Sequence, residues 1–292
     1  MRTRRRAALL VASAAAFGVG LIAFTGSAGA VVPSCTPPTT TTNDSCVKLN
    51  VTPANPGGTA KAARLFVRTH TNFEDPGNTA AGGEAKTVTL DFDNDFAINQ
   101  GAVPATCSEA AVAGKTIAQA YAACGPPAGS TKNAYLSTQI GLTGFGCNTA
   151  THPCVSGQAN AAPGINACTL AFKGPAVSGV PTITLFARAP IPASGTGQSC
   201  DDSPTTLTSG TSTVVLSGKV TTSPLAGYGK RLTVPNIDTK SPLALTDFYA
   251  YVKRSNYFTA KCSASPWRLR GLFQYSGTGQ ANDVTSSTQA CS

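Results

Sequence analysis

Residues 243–291 constrain the fold of this chain more than any other segment. Apolar and polar side chains alternate between Trp267 and Tyr275, and a period of two is typical of a β-strand with one buried face. Gly271 interrupts the apolar face, which indicates a bulge or a close approach by another stretch of backbone. The apolar positions are Trp267, Leu269, Phe273 and Tyr275, and the polar positions are Arg268, Arg270 and Gln274.

The rest of the chain repeats this β pattern in short segments separated by Gly and Pro. Residues 243–252 are apolar on both faces, as expected of a central strand. Further strands are predicted at 47–52, 63–69, 87–96, 134–138, 168–173, 182–188, 211–221 and 231–234. We therefore predict an all-β protein, a disulfide-stapled β-sandwich of jelly-roll or Greek-key type.

One segment, near residues 106–124, is predicted to be a short helical insert. Thr106 and Glu109 have the spacing of a capping box, in which each side chain bonds to a backbone N–H at the start of the helix. Ile117 and Tyr121 follow at helical spacing. Gly125 and the two prolines after it are expected to end the helix.

The first 30 residues are predicted to be a secretory signal peptide. Four arginines precede an apolar run at 7–24, and small residues suited to cleavage follow at 28–30. Residues 31–45 are rich in Pro and Thr and are expected to form a linker, and residues 46–292 are expected to form a single β-sandwich domain. The mature chain is thus expected to be secreted, extracellular or in the cell envelope, without a membrane span.

Ten cysteines follow the predicted signal peptide. An even number of cysteines in an exported chain predicts disulfide bonds. Pairing in sequence order, the simplest hypothesis, joins Cys35 to Cys46, Cys107 to Cys124, Cys147 to Cys154, Cys168 to Cys200, and Cys262 to Cys291. Connectivity does not follow from a sequence alone, and the pairing among the four cysteines from 147 to 200 stays the most open.

Charge is distributed unevenly along the chain. Without the four arginines of the leader, 18 cationic residues face 13 acidic ones, and the net charge is +5. Acidic residues concentrate between positions 74 and 109, and basic residues between positions 219 and 270. Nucleic acid is not expected as a partner, because the chain is only mildly basic and acts outside the cell.

Asp91, Asp93 and Asp95 form the acidic motif of greatest interest. They alternate along one face of a predicted strand, and retaining glycoside hydrolases place two carboxyl groups about 5 Å apart. A glycan-active hydrolase that uses these residues is therefore the alternative function. The simpler interpretation, which we prefer, is a solvated strand face. A calcium loop is a further alternative, although no glycine follows and Ala102 stands where such a loop needs its last acidic ligand.

The candidate binding residues lie in the basic C-terminal part of the chain. They are Lys253, Arg254, Lys261, Arg268 and Arg270. Together they would form a cationic face for an anionic cell-surface polymer or glycan. Their alternative interpretation is a set of scattered, solvated charges.

No cofactor or resident metal is expected. Cys147, His152, Cys154 and Cys168 have the chemistry of zinc ligands, but their spacing matches no standard zinc site and exported cysteines are normally oxidised. The only other histidine is His70, and no Gly-x-Ser-x-Gly motif accompanies either histidine. Both histidines are interpreted as surface residues of loops.

Two motifs carry a resemblance to a known group of proteins. The first is Val-Pro-x-x-Cys107-Ser with Cys124 before Gly-Pro-Pro, and the second is Tyr-Phe-x-Ala-x-Cys262 followed by the alternating strand that ends at Tyr275. They resemble uncharacterised secreted actinobacterial β-sandwich proteins with paired cysteines, over most of residues 85–291. The resemblance implies the fold and the compartment, and no activity. The sequence thus predicts a secreted, non-catalytic binding or structural module of unknown ligand.

Overall fold

Short antiparallel strands, as the alternating sequence predicts, make up most of the structure. The computed structural model describes residue 35 and residues 45–71, 85–125, 134–137, 141–145, 165–189, 212–240, 244–252, 254–264, 266–276 and 281–292. These residues belong to one unit, Val32–Ser292. The predicted signal peptide and most of the predicted linker lie outside the described residues.

The described residues contain fifteen strands in two antiparallel sheets, so the prediction of a β-rich, antiparallel protein is confirmed. The strands are β1 (Ser45–Thr52), β2 (Lys61–Ala62), β3 (Arg64–Thr71), β4 (Ala85–Asp93), β5 (Phe96–Ile98), β6 (Tyr135–Ser137), β7 (Gly141–Phe145), β8 (Ile165–Val177), β9 (Val180–Ala189), β10 (Ser212–Thr222), β11 (Tyr228–Val234), β12 (Ala244–Val252), β13 (Phe258–Ala260), β14 (Trp267–Tyr275) and β15 (Asp283–Gln289).

The large sheet has the strand order β1-β3-β12-β7-β8-β9-β10-β11-β4-β14-β15, and β6 pairs with β8. β12 lies between β3 and β7, as its two apolar faces predict. The small sheet has the order β2-β13-β5. β8 and β9 form a hairpin whose two loop residues, Ser178 and Gly179, have φ angles of 50° and 78°, and such angles match the twist of the flanking strands.

The two edge strands of the large sheet, β1 and β15, are linked by side chains. The Gln289 amide accepts from the Val51 backbone N–H at 2.7 Å and donates to the Val51 carbonyl at 3.0 Å. At the other end, the Asp283 carboxylate accepts from the Ser45 backbone N–H at 2.7 Å and from the Ser45 hydroxyl. These bonds satisfy backbone groups that an edge strand otherwise leaves unpaired.

The inward faces of the strands share an apolar interior. In β14 the predicted alternation is confirmed, since its buried side chains are Trp267, Leu269, Phe273 and Tyr275. These pack in one core with inward residues of β1, β3 and β4. Gly271 lies on the same face, and a Cβ atom there would stand 2.6 Å from Cγ1 of Val47. The predicted bulge or backbone approach was therefore wrong: Gly271 pairs in regular register with Leu90 and Thr285, and a side chain of β1 takes the space beside it.

Two short helices, α1 (Glu109–Val112) and α2 (Ile117–Cys124), cover the outward face of β8 and β9. The predicted cap was wrong: Ser108 caps α1, and the capping box is Thr116 with Gln119 at the start of α2. The helix begins later than predicted because the backbone before it pairs with β8, through a bond from the Cys107 N–H to the Lys173 carbonyl at 2.8 Å.

Two further helical turns complete the described secondary structure, a 3₁₀ helix at Gln100–Ala102 and α3 (Ile237–Lys240). Among the helices of the described residues, none has the length and apolar character needed to cross a bilayer.

Three of the five predicted disulfides are confirmed. Cys35–Cys46, Cys107–Cys124 and Cys262–Cys291 have Cα–Cα separations of 5.8, 5.6 and 5.8 Å. The second bond encloses the helical insert. Cys168 is also disulfide-bonded, but its partner and the predicted pairs 147–154 and 168–200 fall outside the described residues.

Candidate functional site

The three carboxylates singled out in the sequence lie on the outward face of β4 and in the turn after it. Asp91 and Asp93 are alternate residues of β4, opposite in direction to the core residues Leu90 and Phe92, and Asp95 lies in the turn to β5. We call these three acids the carboxylate row. They are 0%, 3% and 4% exposed, so the preferred interpretation of a solvated strand face was wrong. Side chains of β11 and β14, the strands beside β4, cover Asp91 and Asp93, and the segment before β14 covers Asp95.

Asp91 is held between two arginines. In the register of the sheet it stands opposite Arg231 of β11 and Arg270 of β14. Arg231 contacts both carboxylate oxygens, Nε to Oδ1 at 2.7 Å and Nη2 to Oδ2 at 2.9 Å, and Arg270 Nη1 lies 3.3 Å from Oδ2. The Ser223 hydroxyl donates to Oδ1 at 2.7 Å. The planar guanidinium of Arg231 thus meets the carboxylate through two N–H groups, which is the strong form of this ion pair.

These contacts set the ionisation of Asp91. Burial acts to raise its pKa, but the hydrogen bonds from Arg231 and Ser223 and the charges of Arg231 and Arg270 outweigh burial, so the pKa lies below its ordinary value. The hydrogen bond to Asp91 in turn raises the pKa of Arg231. Asp91 is therefore ionised at neutral pH. The general acid of a glycoside hydrolase needs the opposite, a raised pKa.

Asp93 and Asp95 bind backbone as well as side chains. Asp93 Oδ2 accepts from the backbone N–H of Arg268 at 3.2 Å and from its Nε at 3.1 Å, while Oδ1 accepts from the Asp95 N–H at 3.0 Å. Asp95 accepts from the Ser263 N–H at 2.7 Å and from the Ser263 hydroxyl. Lys261 Nζ lies 3.8 Å from Asp95 Oδ1. Both acids therefore attach β14 and the segment before it to β4.

Three of the five candidate binding residues thus pair with the candidate catalytic residues. We call Arg231, Lys261, Arg268 and Arg270 the paired cations. Arg268 and Lys261 are the most accessible, with side chains 44% and 41% exposed. Arg268 also donates to the Gly227 carbonyl at 3.0 Å and lies 5.4 Å from the centre of the Tyr228 ring. Arg254 lies in the turn before β13, and Lys253 lies outside the described residues.

Comparison with known proteins identifies no family for this chain. The chain matches no protein-family model, no curated protein and no solved structure. The resemblance to secreted actinobacterial β-sandwich proteins stays a prediction. The role of the carboxylate row and of the paired cations is therefore argued from their geometry.

The described residues contain no group of three or more His, Cys, Asp or Glu side chains placed to hold a metal. In the carboxylate row, the oxygens that a calcium ion would need already accept hydrogen bonds from arginine, serine and backbone groups. The considered zinc ligand Cys168 is disulfide-bonded, and Cys147, His152 and Cys154 lie outside the described residues.

Sequence reasoning missed the partners Arg231, Ser223 and Ser263. A signal for the pairing was nevertheless present, because Asp91 and Asp93 alternate on one strand and Arg268 and Arg270 alternate on another. Two strands with opposite charges at the same spacing are suited to lie side by side, since opposite charges on facing residues stabilise a strand pair. The adjacency of β4 and β14 itself depends on the tertiary structure.

Proposed function

We propose that the mature chain is a secreted, non-catalytic module of the cell envelope or extracellular space, which binds a ligand or has a structural role there. The carboxylate row carries this proposal, because each of its members is buried and bonded to a cation. A catalytic carboxylate must come within hydrogen-bonding reach of its substrate. In this chain the paired cations occupy that position.

We further infer that the large sheet closes into a flattened β-sandwich with Greek-key-like connections. Apolar residues of β1 and β3 share one core with those of β4 and β14, as facing layers do. Gln289 links the two edge strands. β4 lies between β11 and β14, which follow it much later in the chain; such an exchange of neighbours is what a Greek-key connection produces.

The disulfides support the proposed compartment. Such bonds form and persist in oxidising surroundings and are rare in the cytosol. Of the three described disulfides, one lies near the start of the described chain, one near its middle and one at its end. Export through the predicted signal peptide would place the chain in such surroundings.

An anionic surface polymer or glycan is the partner that we propose for the outward basic residues. Four paired cations face three carboxylates, so only one positive charge remains uncompensated in this cluster. Binding through this face is therefore expected to be weak and to disappear in about 1 M salt, where the Debye length is about 3 Å. Binding that is tight and insensitive to salt would rule out this partner.

The decisive test of a non-catalytic role is an assay of glycan hydrolysis. Purified wild-type protein, Asp93→Asn and the control Glu109→Gln are incubated with soluble polysaccharides and with isolated cell-wall glycan, and released reducing ends are measured. We expect no release above the buffer value for any of the three proteins. Release by the wild type and the control that Asp93→Asn abolishes, with an unchanged circular dichroism spectrum, would establish the hydrolase instead.

A further inference from the structure

The inward face of the large sheet borders a cavity of about 130 Å³. Its lining is mainly apolar and includes Leu65 of β3, Leu90 of β4, Leu185 of β9 and Leu216 of β10. The polar groups of its described lining are the hydroxyls of Thr69, Thr71 and Tyr257, and none of its described lining residues is charged. The cavity is thus separate from the carboxylate row on the outward face.

The β8–β9 hairpin shows that the interior is less completely filled than the outward face. Outward side chains Leu170, Phe172 and Phe186 pack beneath α1 and α2 and are 0% exposed. Inward side chains Ile183 and Leu185 of the same hairpin line the cavity and keep 9% and 8% exposure. Protein interiors normally have few voids larger than a water molecule, so this space is a specific feature of the inward face.

Water is a poor occupant of this space. A buried water typically makes two to four hydrogen bonds to polar groups. Of the three hydroxyls, that of Tyr257 already accepts a hydrogen bond from Gln100 Nε2 at 3.2 Å, and burial raises the pKa of Tyr257 to about 12. An apolar molecule, in contrast, would restore the dispersion contacts that the lining side chains lack across the void.

We propose that this cavity binds a small, neutral, apolar molecule of the size of one aromatic ring or a short hydrocarbon chain. The proposal adds an apolar ligand in the interior to the anionic surface partner proposed above, and it rests on the same non-catalytic function. The size follows from the volume, because an engineered apolar cavity of about 150 Å³ in another protein takes up benzene. A charged headgroup is excluded from the cavity, because the described lining holds no counter-charge and burying an unpaired charge is costly.

The residues that line the cavity are arranged along the strands. Its lining includes four alternate residues of β3, Leu65, Val67, Thr69 and Thr71, whose side chains point to the same face of the strand. Small residues at Ala171 and Ala250 contribute to the lining between bulkier neighbours. A slender ligand that lies along the strands therefore fits better than a fused ring system.

The test uses toluene as the probe and glycerol as the polar control. Toluene is titrated into the purified protein with methyl groups labelled for NMR, and the fit reports an affinity. We expect saturable shifts at the cavity methyls of Leu216 and Ile183, and none at the exposed methyls of Val177 and Val284. An absence of saturable shifts up to the solubility limit of toluene would overturn the proposal, as would shifts confined to the exposed valines.

A matched pair of substitutions locates the site. Val220 lines the cavity and Val177 is 51% exposed, so Val220→Phe fills the space and Val177→Phe adds the same group outside. We expect Val220→Phe to weaken toluene binding at least tenfold and Val177→Phe to leave it unchanged. Equal binding by both variants would overturn the assigned site. If Val220→Phe does not fold, Ala171→Leu replaces it with the same expected outcome.

The outcomes distinguish this inference from the function on which it rests. A protein that binds toluene but also hydrolyses glycan through Asp93 would refute the non-catalytic role and leave the cavity site intact. A protein that does neither would refute the apolar ligand and leave the non-catalytic role intact.

Discussion

The two faces of β4 bury their side chains in different ways, one through ion pairs and the other through apolar contacts. On the outward face both carboxylates are buried: Asp91 is bonded to an arginine on each neighbouring strand, and Asp93 to an arginine of β14. On the inward face, Leu90 and Phe92 meet other apolar side chains and also border a cavity. The same nine-residue strand therefore has an outward face whose carboxylates are all paired and an inward face that borders an unfilled cavity.

This difference follows from the forces on each face. A buried charge is tolerated only with directed partners, so the outward face requires a defined arginine or serine for each carboxylate. Apolar burial is not directional, and an interior can stay folded with a void. Acidic residues whose spacing suggests catalysis can thus have a structural role. The space available for a ligand lies instead among apolar residues, which carry no catalytic or metal-binding groups.

The largest effect is expected from removing the charge at the centre of the outward face. Asp91→Asn leaves Arg231 and Arg270 without their counter-ion and is expected to lower the free energy of unfolding by about 3 kcal/mol. Glu109→Gln is the control, because Glu109 pairs with Lys240 at 2.7 Å on the surface, where such pairs contribute about 1 kcal/mol or less. Urea unfolding measures both. Equal losses of unfolding free energy in the two variants would mean that the buried ion pairs of Asp91 stabilise the fold no more than a surface pair does.

The inward face is tested next at Gly271, where a neighbouring side chain comes close. Gly271→Ala places a Cβ atom 2.6 Å from Val47 Cγ1 and is expected to cost about 2 kcal/mol, because overpacking forces side chains or backbone to move. Gly58→Ala is the matched control, since no atom lies within 4 Å of its added Cβ. Thermal unfolding should separate the two variants by several degrees. If Gly271→Ala does not lower the unfolding temperature, β1 and β14 are not closely packed at this position.

A smaller effect is expected at the edge strands. Gln289→Ala removes the two hydrogen bonds to Val51 and should cost about 1 kcal/mol. Gln274→Ala, an exposed change on β14, should leave the unfolding midpoint unchanged. Hydrogen exchange of the Val51 amide gives a local readout, and it should accelerate only in Gln289→Ala. If protection of this amide is unchanged, the side-chain link does not hold the edges together.

The smallest effect is the acid response of Asp91. Its pKa is lower in the folded than in the unfolded chain, so its contribution to stability is present above the unfolded value and is lost as pH falls through the folded value. At pH 3.8, the ordinary pKa of the group, half of the unfolded chains are protonated, so the loss is at most about 0.4 kcal/mol. The stability difference between wild type and Asp91→Asn should therefore narrow between pH 6 and pH 3.8, by no more than that amount. A widening difference would reverse the assigned direction of the pKa shift.

Much of the local structure was predictable. The alternation in β14 identified Trp267 and Leu269 as core residues, because periodicity is a property of neighbours in the chain. Pairing the cysteines in order predicted the three described disulfides, which close short loops. The helix cap was misplaced by two residues, because a tertiary bond from Cys107 to β8 competed with the helical pattern.

By itself, the sequence determined the strand periods, the position of the helical insert and the alternation of charge on β4 and β14. Only the tertiary structure decided that Asp91 lies between Arg231 and Arg270, more than 130 residues away along the chain, and that a cavity lies between the inward faces. The reason is physical. Side-chain period depends on adjacent residues, whereas the choice of neighbouring strands and the fit of facing surfaces depend on the free energy of the whole packed sheet.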